Sequence, residues 1–163
     1  LRTGARVAGV AASGDEKRLL LGGGRDALAC DEVVWVSGAA PPALIADSPL
    51  PHDAAGFVRV RATLAVEGRD DLFAAGDCAA FAPPLAKAGV YAVRQGPVLA
   101  HNLRAALSGG PLRRYRPQRD FLTLLDLGDG TAIGSKWGLA FEGRAVLALK
   151  RRIDRGFVAR FRS

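Results

Sequence analysis

Methionine is absent from the 163 residues, and cysteine and histidine occur twice each. Cys30 and Cys78 stand far apart and form no Cys-x-x-Cys unit, which excludes a dithiol redox motif and a paired-thiolate metal site. They read as two buried thiols of a reducing compartment. His52 and His101 have no ligand residues near them in sequence, so both read as structural and no metal is expected. Nothing forms a Ser/His/Asp or Cys/His set, so no catalytic side chain can be named. Aromatic residues make up 7% and are mostly Phe in apolar patterns, which argues against a nucleic-acid surface. No run of 18 apolar residues occurs, which excludes a membrane-spanning helix. Leu1-Arg-Thr-Gly4 opens without Met and without a signal-peptide pattern, so a piece of a longer, cytoplasmic protein is expected.

What is present is ordinary for a globular chain: 49% hydrophobic and 24% charged residues, at a length that buries a core. The net charge of +7 is unevenly spread. Residues 144–163 hold seven Lys/Arg against Asp154 alone, so the C-terminal tail carries almost all of the excess. Such a tail suits phosphate-bearing surfaces.

In chain order, Arg6–Ala12, Arg18–Leu21 and Ala27–Cys30 read as strands of a small β-meander, with a turn at Gly22-Gly-Gly24. Those glycines lack the Lys-Ser/Thr ending of a phosphate loop. Asp31–Val36 reads as a buried strand running into the broken turn Ser37–Pro42, where Gly38 either lets the backbone approach a cofactor or turns the chain. Ala43–Pro51 reads as a linker with a short helical turn, and Gly56–Val60 as an edge strand. Leu72–Ala75 reads as a short buried strand. Gly76 then permits a tight turn and Asp77 projects at the strand's carboxyl end, where open α/β sheets bind ligands. An ordinary Gly-Asp turn is the plainer alternative. Val90–Leu107 reads as a helix with Val90, Val93, Pro97, Leu99, Leu103 and Leu107 near one face, kinked near Pro97 and ended by Ser108-Gly-Gly110. Free N–H groups at its start favour an electron-rich ligand group.

Pro111–Arg119 reads as a basic extended linker. Phe121–Leu127, Thr131–Lys136 and Gly138–Phe141 read as three antiparallel strands, with a hairpin at Gly128-Asp-Gly130. In the terminal helix Val146, Leu149, Ile153, Phe157 and Phe161 form one stripe, with Arg144, Arg151, Arg152, Arg155 and Arg162 opposite. That helix either packs on its own sheet with a solvated basic face or lies on a membrane surface.

Thr63–Ala79, ending Leu-Phe-Ala-Ala-Gly-Asp-Cys-Ala, resembles the second FAD fingerprint of flavoproteins with two dinucleotide-binding domains. Lys87-Ala-Gly-Val-Tyr-Ala-Val-Arg-Gln-Gly96 resembles the flavin-facing helix of type II NADH dehydrogenases and sulfide:quinone oxidoreductases. Tyr115–Gly143 is most similar to the branch of NADH-dehydrogenase-like flavoproteins joined to a selenide, water dikinase. The resemblance implies an α/β fold: the C-terminal part of a FAD/NAD(P)-binding, Rossmann-like flavoprotein, with a small antiparallel sheet and helix at its end. It implies that residues 1–45 close the NAD(P)-binding domain, 46–110 belong to the FAD-binding domain, and 111–163 form a small α+β domain. It further implies FAD as cofactor and NAD(P)H as co-substrate. Gly76 and Asp77 would meet the ribityl–phosphate region, Lys87, Ala88 and Gly89 would lie by the flavin, and Gly38 would approach a cofactor. Ser37 stands where such proteins usually carry Thr. Lys87 would offset charge on reduced flavin, or else simply face solvent.

Two functions follow as expectations. The first is a FAD-dependent oxidoreductase passing electrons from NAD(P)H to a quinone or similar acceptor, with peripheral contact to the inner face of a membrane through 144–162 and no nucleic acid. The second is a non-catalytic module derived from such a flavoprotein, docking a membrane or a partner.

Overall fold

A computed structural model describes residues 2–14, 16–22 and 27–162. The chain divides into two compact units, Leu1–Gly38 and Ala39–Ser163.

The first unit is an antiparallel meander of β1 (Val7–Ser13), β2 (Glu16–Leu21) and β3 (Ala27–Cys30). Period-two alternation sets Leu19, Leu21, Leu28 and Cys30 on one half-buried face, with Leu19 opposite Leu28 and Lys17 opposite Cys30. The expected turn begins at Gly22, whose N–H donates to the Arg6 carbonyl at 2.6 Å; Gly23 and Gly24 lie outside the described residues. Asp31–Val36 does not form the expected strand. No described strand pairs with it, and Val34, Trp35 and Val36 are 84%, 59% and 91% exposed. A β-competent apolar run becomes a strand only where a ladder receives its backbone groups.

The second unit opens with the short helix α1 (Ala43–Ala46). Next come β4 (Val58–Arg59) and β5 (Ala79–Ala80), which pair in parallel. Val58, Val60, Val66 and Ala79 form one core cluster. Leu72–Ala75 makes a single bridge, Phe73 opposite Ala65, rather than a buried strand, and Leu72 is exposed. The chain instead folds back at Leu64, whose φ of +66° is costly for a residue with a γ-branch. Its fully buried side chain, packed with Tyr91 and Tyr115, offsets that strain.

Helix α2 (Gly89–Ser108) runs unbroken for 20 residues with Pro97 inside it, and ends where Gly109 turns left-handed at φ +70°. Its buried face differs from the apolar stripe expected. Val93, Leu103 and Leu107 are 49%, 46% and 92% exposed, whereas Tyr91, Gln95, Asn102 and Ala105 are buried. Two amides occupy the inward face because neighbouring loops present unpaired backbone groups there. Asn102 Nδ2 donates to the carbonyls of Thr63 (2.7 Å) and Arg113 (2.8 Å), and its Oδ1 accepts from Arg113 N–H (2.7 Å). These bonds fasten the extended 111–119 segment to α2, and Tyr115 N–H adds a bond to the Ala62 carbonyl at 2.7 Å.

The C-terminal part matches its pattern in its elements, but Leu147, outside the expected stripe, is buried, while Leu149 within it is 40% exposed. Strands β6 (Thr123–Asp126), β7 (Ala132–Lys136) and β8 (Leu139–Gly143) form an antiparallel sheet. Helix α3 (Arg144–Ala159) packs on it through Val146 and Leu147, which join Ala132 and Leu124. Beyond that first turn the apolar stripe emerges, with Ile153, Phe157 and Phe161 exposed and the last two rings in contact at 5.1 Å.

Candidate functional site: a turn against a helix start

The chain reaches the site in extended backbone at Ala75 and reverses through a 3-10 turn, Gly76–Cys78. Gly76 has φ +71°, in the left-handed region where a side chain would be strained. Its N–H donates to Gln95 Oε1 of α2 at 2.6 Å, and Cys78 Sγ donates to the Ala75 carbonyl at 3.2 Å. Asp77 is exposed, and its carboxylate has no hydrogen bond or ion pair among the described residues.

Facing this turn is the start of α2. Ala88 is extended, and no side chain caps the helix. The leading N–H groups therefore present the positive end of a 20-residue dipole. A Cβ built on Gly89 would meet nothing within 4 Å, so the space over the helix start is open. Gly76, Asp77, Lys87 and Ala88 line one narrow, mostly enclosed cleft together with Tyr91 and Gln95, and Gly89 follows directly. The cleft measures about 10 Å³, so a ligand would lie across it rather than sink into it. Gly38 belongs to the first unit, where its φ lies outside the left-handed region and a Cβ would meet nothing within 4 Å.

Lys87 does not stand free. Its Nζ donates to the Ala79 carbonyl at 2.7 Å and sits 3.8 Å from the Phe57 ring centroid. Burial pulls its pKa below the usual lysine value, with Asp53, Asp77 and Cys78 opposing that shift. The ammonium borders a 340 Å³ cavity that Asp53, Phe57, Phe81 and the Arg59–Glu67 ion pair also line.

An apolar groove of about 470 Å³ begins one residue beyond Gly89, between α2 and α3. Val90, Val93, Ile153, Phe157 and Val158 line it, with Arg94 and Asp154 at its polar border. Beside it, Arg94, Asp120, Lys136, Lys150 and Asp154 line a cavity of about 390 Å³, in which Lys150 and Asp154 pair at 2.6 Å. The sequence reading missed Gln95, Asn102 and Arg94. Gln95 and Asn102 stand seven apart, two turns along one helix face. That spacing of two amides in an apolar helix is the signal that would have found them.

An exposed carboxylate beside an uncapped helix start can accept hydrogen bonds from hydroxyls and offer N–H groups to an anionic or electron-rich group. This is the donor and acceptor set a dinucleotide needs. A family model, the pyridine nucleotide-disulphide oxidoreductases, matches residues 1–102. The chain belongs to that family of flavoproteins, and its similarity runs toward the NADH dehydrogenase-like members. It is 30% identical over 132 residues to the type II NADH:quinone oxidoreductase of Staphylococcus saprophyticus, covering 78% of this chain and 32% of that protein. It is 34% identical over 134 residues to the demethylphylloquinone reductase NdbB of Synechocystis sp., with the same coverages of 78% and 32%. With the type II NADH:quinone oxidoreductase of Staphylococcus aureus it shares 28% over 126 residues, 74% of this chain and 31% of that protein. The chain thus spans about a third of the length of these curated relatives. None of these names includes a selenide, water dikinase.

Proposed function

We propose that this chain is the C-terminal part of a FAD-dependent oxidoreductase that carries electrons from NAD(P)H to a quinone or similar acceptor. The observation that carries the reading is the unpartnered Asp77 carboxylate held beside the uncapped start of α2, in a chain of this family. The residues fit FAD chemically: Asp77 offers acceptor oxygens to ribityl hydroxyls, and the open backbone at Ala88 and Gly89 admits a flat ring. Bound flavin would supply the hydride and electron chemistry; the protein supplies orientation and electrostatics.

In this reading Gly76 lets the chain pass close to the cofactor, and Asp77 fixes the cofactor's hydroxylated chain. The N–H groups at the head of α2 stabilise negative charge placed against them. Lys87 adds a positive charge at the same end of the helix while its Nζ is fastened to Ala79 and Phe57. Gly38 is assigned to a cofactor approach on the resemblance alone. The groove lined by Val90, Val93, Ile153 and Phe157 is apolar and suits an apolar acceptor ring, and the names of the relatives support a quinone.

The exposed half of α3 favours peripheral attachment to a membrane. Leu149, Ile153, Phe157 and Phe161 are exposed, with Arg151, Arg152 and Arg155 also at the surface. Among the described residues, no helix is long and apolar enough to cross a membrane. This feature also keeps the second reading in view, a docking module without flavin chemistry.

An absorbance spectrum of the full-length protein separates the two. Bound flavin bleached by NADH or NADPH supports the oxidoreductase. A colourless protein that takes up no added FAD supports the docking module. In the full-length protein Asp77→Ala should strip the flavin while leaving the fold intact, and a variant that purifies with a full flavin load overturns the assignment of Asp77.

A further inference from the structure

Little regular secondary structure holds the Gly76–Cys78 turn. Leu72–Ala75 enters it with one β-bridge, and β5 leaves it after two residues. Among the described residues, one side chain from outside the turn hydrogen-bonds its backbone: Gln95, 1% exposed, whose Oε1 accepts from Gly76 N–H at 2.6 Å. Gly76 N–H is a donor, so the contacting atom must be the amide oxygen. Gln95 lies six residues into α2, about 9 Å along the helix from its uncapped start. The bond therefore fixes the separation of two features, the turn that projects Asp77 and the helix end facing it. Ala92, less than a turn before Gln95, sits 3.4 Å from where a Gly76 Cβ would stand, so the packing is close enough for the bond to set the spacing.

We propose that Gln95 is a positioning residue for the cofactor: through Gly76 it holds the Asp77 carboxylate at a fixed distance from the head of α2, and so sets FAD affinity without touching FAD. This rests on the assignment of Asp77 to FAD above. Asn102 makes the claim separable from mere stability. It is a buried amide on the same helix and face, 0% exposed, with three hydrogen bonds, but its partners Thr63 and Arg113 do not line the cleft.

The test uses full-length protein, stripped of flavin and titrated with FAD by fluorescence, with the thermal midpoint of each apoprotein measured alongside. Gln95→Met keeps length and volume and removes the acceptor. It should weaken FAD binding about tenfold or more, the scale of an unmet buried N–H. Asn102→Ala should lower the midpoint at least as far yet leave FAD affinity within about twofold, since it strands no group in the cleft. Gln95→Asn, one methylene too short to reach Gly76, should behave as Gln95→Met does and serves if the Met variant fails to fold.

Wild-type FAD affinity in Gln95→Met or Gln95→Asn overturns the proposal. So does an Asn102→Ala protein that loses FAD as severely at equal destabilisation. Asp77→Ala run in parallel tells the two levels apart. If it loses FAD while the Gln95 variants keep it, this inference alone fails. If it keeps FAD, the assignment of Asp77 fails and this inference with it.

Discussion

Replacing Asn102 by Asp changes one atom type in a fully buried site and should make stability depend on pH. In the wild type Nδ2 donates at 2.7 and 2.8 Å to the carbonyls of Thr63 and Arg113, and Oδ1 accepts at 2.7 Å from Arg113 N–H. An ionised Asp keeps the last bond but turns its second oxygen toward two carbonyl oxygens, in a site with 0% exposure. Two bonds become repulsive contacts, and a charge is buried without a partner. Two lost bonds and a buried charge together amount to about 3–5 kcal/mol at neutral pH. Protonation restores one donor and removes the charge. The folded-state pKa of this Asp is therefore raised above its unfolded value near 3.9. The sign follows: in the interval between the two values the folded state binds more protons than the unfolded state. The variant therefore loses stability as pH rises through that interval and regains it as pH falls. Asn102→Ala, lacking a titrating group, should show a flat deficit of about 3 kcal/mol from three lost bonds. Thermal melts followed by circular dichroism, from pH 5 to pH 8 (about the span in which a strongly raised carboxyl titrates), report both. An Asp variant as stable at the top of that span as at the bottom, or an Ala variant within about 0.5 kcal/mol of wild type, refutes the clamp.

Burial holds the Lys87 pKa below its usual value of 10.5, so stability should rise as alkaline pH discharges it in the folded state first, and Lys87→Met should lack that rise in alkaline melts. The buried Tyr115 hydroxyl lies near Gln95 but makes no well-formed hydrogen bond among the described residues, so Tyr115→Phe should leave stability unchanged or raise it, by up to about 1 kcal/mol in thermal melts. A Cβ on Gly134 would stand 2.2 Å from the Phe141 ring lying across it, so Gly134→Val should cost about 1–3 kcal/mol in the same melts, and less where Phe141→Ala has already cleared the ring. Vesicles of anionic lipid should sediment the protein at low salt and release it at high salt, and Arg151→Glu with Arg155→Glu should abolish the binding; no binding at low salt leaves α3 structural.

Sequence pattern was a good guide where each element satisfies itself locally. The β-meander, the three C-terminal strands and α3 appear within a few residues of their expected bounds, because alternation and helical period record a face packed on a neighbour. Pattern misled where partners are remote. Asp31–Val36 has strand composition and no ladder to enter, and Leu72–Ala75 is drawn into a single bridge by the reversal at Leu64. The face of α2 was hidden for a different reason: hydropathy scores Gln95 and Asn102 as outward, yet loop carbonyls and an N–H pull both inside. Of the candidate site, the Gly76-Asp77 turn and the Lys87–Gly89 approach to α2 were visible as a motif, and the structure brings Gly76, Asp77, Lys87 and Ala88 into one cleft. The amide that joins them was missed, since hydropathy scores a glutamine as outward and only its two-turn spacing from Asn102 marks it as inward.

Pro97 donates no N–H, so the carbonyl four residues earlier, at Val93, loses its helical partner midway along α2. The missing rung falls between the two clamps. Gln95 ties the leading segment to the Gly76 turn, and Asn102 ties the trailing segment to Thr63 and Arg113. A helix that lacks this rung bends more easily there, between the segment that grips the turn and the segment moored to Thr63 and Arg113. Val93, which carries the unpaired carbonyl, is half exposed on the wall of the apolar groove, so the weakest rung of α2 lies against that groove.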